Sequence, residues 1–370
     1  MDTEKRLESL DALRGFDMLF IMGLAGLIVS ICCLFPGGDE CWLARQMSHV
    51  PWHGLAHHDT IFPLFLFIAG MTFPFSLAKK RGRGLSEGRI WADVIRRGLV
   101  LVFLGLVYQG FFRFHFATLR FPSVLGRIGL AWMFAAMIWL AVRKTSWRIV
   151  IAAACLIGYW VLHLFPAPDA PAGADLFSKE GALSIWIDRM VMPEHLLQKG
   201  VYDPEGIAGT VPAIVTALLG MFTGQFVRLP EEKVSGGRKV LYLLGASVVL
   251  LAAGLLWSKV FPINKALWSS SFVLVVGAYS VAMFALFYWL IDVKGWRRWT
   301  TFFKVVGMNS ITIYLAQRII NFGGIRDFFF GGLAGLFPEP VGNVILDAAY
   351  IAVCWLFLYF LYKKKVFLKV

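Results

Sequence analysis

Apolar runs of 17–25 residues recur along the whole chain and constrain its fold more than any other feature. Each run can cross about 30 Å of hydrocarbon as a helix that rises 1.5 Å per residue. Only 16% of the 370 residues are charged, against roughly 25% in soluble domains. A lipid-exposed backbone must satisfy its own hydrogen bonds, so these runs predict an all-α bundle. We expect one transmembrane domain over residues 1–370, with ten spans at 15–35, 59–78, 94–112, 121–142, 149–165, 207–227, 240–257, 267–291, 301–321 and 344–362.

The net charge of +13 predicts the topology of this bundle. Lysine and arginine concentrate in the N-terminal segment, the even-numbered connections and the C-terminal tail, which places both termini in the cytoplasm by the positive-inside rule. The first span has no cleavage signature after it, so we expect it to be retained in a multi-pass protein of a bacterial inner (plasma) membrane. A basic soluble domain is missing from the pattern, and we therefore expect no nucleic-acid partner.

Two classes of membrane protein are disfavoured by what the sequence lacks. It contains no P-loop, so ATP-driven pumping has no support. It also has no convincing internal repeat, which weakly disfavours transporters built from duplicated halves. The five cysteines imply no disulfide framework.

Histidines cluster in the first outer loop of the predicted topology, in the segment that leads into span two. An imidazole with a pKa near 6.5 can take and return a proton at neutral pH. Asp59 could hold one ring tautomer and stabilise the imidazolium, as in a base with its orienting group. The alternative is that these are ordinary solvated residues of the membrane interface. Position alone cannot choose among four candidates, His49, His53, His57 and His58.

A metal site is the third possibility for this loop, because His49, His53 and His57 recur every fourth residue. On a helix they would line one face. Pro51 and Gly54 make a continuous helix through them unfavourable, and we expect no metal.

Other polar residues interrupt or adjoin the apolar runs, each with a structural alternative. Arg127 falls inside span four at a cost of about 2.5–3.5 kcal/mol, so it should face a polar cavity, a ligand or an ion-pair partner. Asp203 and Glu205 could bind a sugar hydroxyl or amine, or they could start a helix. Lys265 could snorkel at the interface, and Asn309 could pack between helices.

In their order along the chain, six segments resemble the heparan-α-glucosaminide N-acetyltransferase family of transmembrane acyltransferases. The resemblance runs from about residue 7 to residue 362. It implies transfer of an acetyl group from cytosolic acetyl-coenzyme A to the amine of a glucosamine on the far side of the membrane. The segments are residues 9–17, 49–63, 120–129, 203–206, 264–268 and 307–310.

The resemblance also implies roles for individual residues. The active histidine of the family lies in a His-x-x-Trp-x-Gly-Leu stretch, which here begins at His49, and Asp59 matches the acid before Phe-Pro. This assigns catalysis to His49 and Asp59. One departure is that a polar Asn of the family's first span is replaced here by the segment 23–25. We assign donor binding to Arg14, Arg127 and Asn309, and acceptor binding to Trp52, Arg120, Asp203, Glu205 and Lys265.

Several alternatives stay open at this point. His49 could act as a nucleophile that carries the acyl group, or as a general base. The basic run 79–83 could hold the phosphates of the donor, or it could only fix topology and attract anionic lipid. An amino-sugar permease and a structural assembly protein are the competing functions. Glycine-rich span faces would allow a homodimer.

Overall fold

The computed structural model describes residues 7–197 and 201–368, in which helices account for nearly all regular structure and no strand forms. Numbered along the chain, the helices are α1 Glu8–Leu19, α2 Ala25–Cys32, α3 Trp42–Gln46, α4 His57–Gly82, α5 Glu87–Gln109, α6 Val124–Ala141, α7 Thr145–Leu162, α8 Leu183–Val191, α9 Thr210–Val227, α10 Gly236–Trp257, α11 Ser270–Tyr288, α12 Thr300–Gly307, α13 Ser310–Ile319, α14 Phe322–Ala334 and α15 Glu339–Lys363.

Eight helices of the described residues are long and apolar enough to cross a membrane. Each overlaps one predicted span, so the predicted all-α helical membrane bundle is confirmed. The sidedness of the termini stays a prediction. The eight are Glu8–Cys32, His57–Gly82, Val124–Ala141, Thr145–Leu162, Thr210–Val227, Gly236–Trp257, Ser270–Val293 and Glu339–Lys363.

Two of the predicted spans, the third and the ninth, differ from these eight. The third corresponds to α5, which is helical but opens with several charged residues in its first half. The ninth is interrupted at Asn309, whose φ of −123° and ψ of 22° separate α12 from α13. The chain then forms α14, a helix that the apolar pattern did not predict.

The described chain divides into two compact units. Unit one contains the residues before Trp52, the segment Leu55–Ile61 and the residues from Met283 onward. Unit two contains Trp52–Gly54 and Phe62–Ala282.

Unit one is held together by a glycine crossing between α1 and α12. A Cβ atom at Gly15 would lie 1.8 Å from the carbonyl oxygen of Phe303, and one at Gly307 would lie 2.0 Å from that of Asp11. No side chain fits at either position, and the two backbones therefore touch. Small residues permit this close approach in membrane bundles, where van der Waals packing drives helix association.

The first membrane span is itself discontinuous within unit one. Between α1 and α2, residues Phe20–Leu24 form a π-helical turn, and Gly23 has a φ of +126° that favours glycine. The side chains of Tyr350 and Ile351 on α15 lie beside this glycine. Farther along, Ser30 donates a 2.6 Å hydrogen bond to Asp347. The turn coincides with the position where the sequence departs from the family pattern.

Unit two packs α4 against α9 through a second set of glycines. A Cβ atom at Gly70 would lie 2.1 Å from the carbonyl oxygen of Ala217, and one at Gly220 would lie 2.0 Å from that of Phe67. Aliphatic and aromatic side chains fill the rest of this core, and Trp268 is fully buried. This packing fixes the helix ends from which the polar residues of unit two project.

Candidate functional site

The first site residue in unit one is His49, which lies in a non-helical segment before α4. Its Nδ1 atom is 2.7 Å from Oδ1 of Asp59. About half of the His49 side chain is exposed (54%), whereas Asp59 is buried at 1%. A buried carboxylate therefore holds an accessible imidazole, which is the arrangement of a base and its orienting group.

Asp59 takes this position because it also starts α4. It is the third residue of the helix, and its Oδ2 atom accepts the backbone N–H of Ala56 at 3.1 Å. An acid at this position that reaches back to the residue before the helix is half of a capping box. The same oxygen accepts the N–H of Val50 at 3.4 Å. The carboxylate thus fixes both the helix start and the segment that carries His49.

The other loop histidines have different surroundings. His58 packs edge-on against His49, with 4.5 Å between ring centroids. His57 packs against Phe20 of the π-helical turn, also at 4.5 Å. His53 belongs to unit two, where its Nδ1 atom lies 3.4 Å from the amide nitrogen of Asn264. Of the four, His49 is the histidine whose Nδ1 atom lies at 2.7 Å from the buried Asp59 carboxylate.

Residues 49–56 are not helical, so the fourfold spacing of His49, His53 and His57 does not put them on one helix face. Gly54 has a φ of +117° in this segment. Within residues 7–197 and 201–368, no group of three or more His, Cys, Asp or Glu side chains has an arrangement that could hold a metal ion.

Two predicted donor-binding residues, Arg14 and Asn309, also lie in unit one. Arg14 is 3.8 Å from Asp11, one turn earlier on α1. Asn309 lies in the break between α12 and α13 and is 1% exposed. Its amide nitrogen is 3.5 Å from the carbonyl oxygen of Val305, while its Oδ1 atom has no hydrogen-bond partner among the described residues.

Unit two brings three of the predicted acceptor-binding residues together. Arg120 binds Asp203 through two hydrogen bonds, from Nε at 2.7 Å and from Nη2 at 2.6 Å, and Nη2 also donates to Glu205. Asp203 accepts two backbone N–H groups as well, from Leu197 at 2.8 Å and Glu205 at 2.9 Å. The Asp203 side chain has no exposed surface, and its hydrogen bonds hold the loop in place. Glu205 is the carboxylate that keeps some exposure, at 10%.

Arg127 belongs to the same group. It projects from the first turn of α6, is 3% exposed, and donates from Nη2 to the carbonyl oxygen of Gly206. Its guanidinium lies 5.0 Å from the ring centroid of Trp268. Its Nε and Nη1 atoms have no hydrogen-bond partner among the described residues. The predicted donor ligand is thus joined to the loop of the predicted acceptor ligands.

One residue of this cluster, Asp188, was not predicted from the sequence. It is 5% exposed on α8, and its Oδ1 atom accepts the N–H of Ala208 at 2.9 Å. Burial raises the pKa of Asp188 to about 6. The sequence signal was weak, because α8 is short and only the shared buried face of Ser184, Ile185 and Asp188 marks the position.

The last two predicted acceptor residues are Trp52 and Lys265. Trp52 donates from its indole N–H to the carbonyl oxygen of Phe177 at 2.8 Å and packs edge-on against Tyr202. Lys265 lies in a turn where its carbonyl oxygen accepts the N–H of Trp268 at 3.0 Å. The turn is closed by Asn264, whose Oδ1 atom accepts the N–H of Leu267 at 2.9 Å.

The chain is similar to two curated proteins along nearly its whole length. It is 26% identical to the human heparan-alpha-glucosaminide N-acetyltransferase over 418 aligned positions, and 26% identical to the mouse protein over 420. Both alignments cover 99% of this chain, which spans 60% and 62% of the two relatives. No protein-family model matches the chain. The resemblance that the six segments indicated is therefore confirmed along nearly the whole chain.

Proposed function

We propose that this relative of the heparan-alpha-glucosaminide N-acetyltransferases is a membrane-embedded N-acetyltransferase that moves an acetyl group from acetyl-coenzyme A to the amine of a glucosamine-type sugar. The observation that carries the proposal is the pairing of an accessible His49 with a buried Asp59. The similarity of 99% of this chain to 60% and 62% of the two curated acetyltransferases supports it.

In the proposed reaction, the Nδ1–H of His49 donates to Asp59, which leaves the Nε2 lone pair to take a proton. The acceptor amine attacks the thioester carbonyl carbon and loses a proton to Nε2. The carbon–sulfur bond then breaks, and the imidazolium returns the proton to the departing thiolate. Asp59 stabilises the imidazolium throughout without changing its own charge.

A two-step route uses the same residues. Nε2 of His49 would attack the thioester first, and the acetyl group would pass from the imidazole to the amine. The two routes differ in kinetics, because only the two-step route releases coenzyme A before the acceptor binds.

For the acceptor, we assign Glu205 the direct contact. Its carboxylate keeps some exposure beside its ion pair with Arg120 and can accept a hydrogen bond from the neutral amine that attacks the thioester. Arg120 positions Glu205, and Asp203 fixes the loop through four hydrogen bonds. We move Arg127 from the donor to this acceptor group because it bonds the carbonyl of Gly206 in the same loop. Trp52 and Lys265 remain proposed acceptor contacts.

For the donor, we keep Arg14 and Asn309 as proposed ligands, since Asn309 has an unpartnered carbonyl oxygen and Arg14 a partly exposed guanidinium. The basic run at the end of α4 is proposed to hold the phosphates at the cytoplasmic face. Part of its charge is neutralised, because Lys80 pairs with Asp93 and Arg81 pairs with Glu87. Acetyl-coenzyme A is the proposed co-substrate, and the acceptor site is proposed to lie at the outer face.

The test is transfer of radiolabel from acetyl-coenzyme A to glucosamine by purified protein in liposomes. We expect labelled N-acetylglucosamine from the wild type and from His115→Ala, which alters an exposed loop histidine, and at least about 100-fold less from His49→Ala. Normal turnover by His49→Ala would remove the catalytic assignment. Release of coenzyme A before the acceptor is added would indicate the two-step route, and release only in the presence of acceptor would indicate direct transfer.

A second candidate function is a permease for amino sugars. Discontinuous membrane helices form the substrate sites of many transporters, and unit one contains breaks at Gly23 and Asn309. Saturable sugar uptake by the liposomes, without chemical change of the sugar, would favour this function.

A further inference from the structure

Unit two contains a cavity of about 310 Å³ beside Arg127 and Glu205 that the proposed reaction does not use. Its walls are almost entirely apolar. They come from α5, through Val102 and Leu106, and from α6, through Leu130. Phe121, which is 43% exposed, also lines the cavity.

Residues of both helices line the cavity on one face each. Val102 and Leu106 are one turn apart on α5 and thus lie on one face, and Arg127 and Leu130 have the same relation on α6. Next to Val102 on α5, Phe103 is 46% exposed on the apolar surface. The lining suits a hydrocarbon chain, because pockets of this kind bind apolar groups through burial and orient them with a few polar groups.

Two charged groups line the cavity with these apolar residues. Glu205 can accept hydrogen bonds from a hydroxyl-rich head group at this cavity. Arg127 has two buried N–H groups without a partner among the described residues, and an oxygen of the head group would satisfy them.

We infer that this cavity binds the alkyl chain of a lipid-like acceptor, so that the sugar amine is presented on an amphipathic molecule instead of a free sugar. The inference rests on the proposed function and specifies its substrate class. Glu205 and Arg127 bind the head group, and the apolar walls bind the chain. Each buried methylene adds affinity by leaving water, and a chain of several carbons changes affinity by well over tenfold.

The experiment compares glucosamine with octyl glucosaminide, below its micellar concentration, as acceptors for the protein in nanodiscs. We expect the KM for octyl glucosaminide to be at least tenfold lower than that for glucosamine. Leu130→Trp fills the cavity and should bring the ratio of the two KM values towards one. Leu106→Phe is a second variant, which fills less of the cavity. Leu99→Trp is the matched control, because Leu99 is 55% exposed on α5 and does not line the cavity, and it should preserve the ratio.

A second arm separates the acceptor chain from the acyl chain of the donor. Acetyl- and octanoyl-coenzyme A are compared in the wild type and in Leu130→Trp. Equal KM values for the two acceptors in the wild type would overturn the inference. A change of donor chain preference in Leu130→Trp, with the acceptor ratio intact, would overturn it as well and assign the cavity to the donor.

Direct binding keeps the inference independent of turnover. Radiolabelled octyl glucosaminide should bind saturably to the wild type and to Leu99→Trp, and at least tenfold more weakly to Leu130→Trp. If octyl glucosaminide binds in this way but neither acceptor is acetylated, the proposed enzymatic function is contradicted and the binding site for the alkyl chain is still supported. Equal binding to all three proteins would overturn the chain site itself.

Discussion

The Nδ1 atom of His49 lies 2.7 Å from Oδ1 of Asp59, while Oδ2 of the same carboxylate accepts the backbone N–H groups of Val50 and Ala56. Both oxygens of the carboxylate act as hydrogen-bond acceptors, and this decides which tautomer His49 adopts. Oδ2 accepts the two backbone N–H groups, and Oδ1 accepts the N–H of the imidazole at Nδ1. The nitrogen that remains to take a proton is then Nε2.

Asp59→Asn should reverse this tautomer. The single amide oxygen turns to the backbone N–H groups, and the amide NH₂ faces Nδ1 of His49, so the ring proton moves to Nε2 and the base is lost. We expect turnover to fall at least about 100-fold, with thermal unfolding nearly unchanged. Acetyl transfer and unfolding temperature are measured together. Asp39→Asn, an exposed acid of the preceding segment, is the control, and full activity of Asp59→Asn would contradict the role of the carboxylate.

Arg120→Gln should destabilise the protein by about 3–5 kcal/mol. It leaves two carboxylates, of which Asp203 has no exposed side-chain surface, without their cation. The double variant with Asp203→Asn should recover part of this loss. Unfolding in detergent is the measurement. Arg189→Gln breaks an exposed pair with Asp169 and should cost at most about 1 kcal/mol, and additive single effects in the double variant would contradict the coupling.

Asp188→Asn should change how stability depends on pH. Burial raises the pKa of Asp188 to about 6 in the folded protein, against about 3.9 when it is unfolded. The stabilising contribution of the protonated group is complete below pH 4 and is lost as pH rises through 6, by about 3 kcal/mol in total. The charge of Arg127 lowers the pKa of Asp188, but desolvation by burial raises it by more.

The measurement for this variant is the difference in unfolding temperature between Asp188→Asn and the wild type at pH 5 and pH 7.5. The neutral amide gains relative to the wild type as pH rises. Asp169→Asn, which changes an exposed acid, should show no such trend. A difference that stays constant between the two pH values would contradict the shifted pKa of Asp188.

Gly206→Ala should be destabilising, by about 1–3 kcal/mol, because the added Cβ atom would lie 1.7 Å from Oδ2 of Asp188. The loop would have to move away from α8, and the carbonyl that Arg127 binds would move with it. Unfolding temperature and the KM for the acceptor are the measurements. Gly237→Ala is the control, since nothing lies within 4 Å of a Cβ atom there, and equal behaviour of the two variants would contradict the packing.

Much of the architecture could be predicted from hydropathy. Eight membrane-capable helices overlap eight of the ten predicted spans, because a span is defined locally by about 20 apolar residues. The same local reasoning could not predict the interruption at Asn309. That break depends on how α12 and α13 pack, and the apolar pattern runs through it without change.

The candidate site was predictable where its residues are close in sequence. His49 and Asp59 are ten residues apart, within one segment, and the structure joins them. The contact between Arg120 and Asp203 spans 83 residues, and that between Asp188 and Ala208 crosses from α8 to another loop. Such contacts are set by tertiary packing, which is why the sequence did not identify Asp188 or place Arg127 beside the loop of Asp203 and Glu205.

The glycine crossing in unit one has a mechanical consequence. Where α1 touches α12, no side chain lies between the backbones to rearrange, so direct backbone contact resists a shift of one helix against the other. Helix α1 is followed by the π-helical turn with Gly23, and α12 is followed by the break at Asn309. At both positions the α-helical hydrogen-bond pattern is interrupted. If α1 or α12 bends during turnover, we expect the bend at Gly23 or Asn309 and not at the crossing between the two helices.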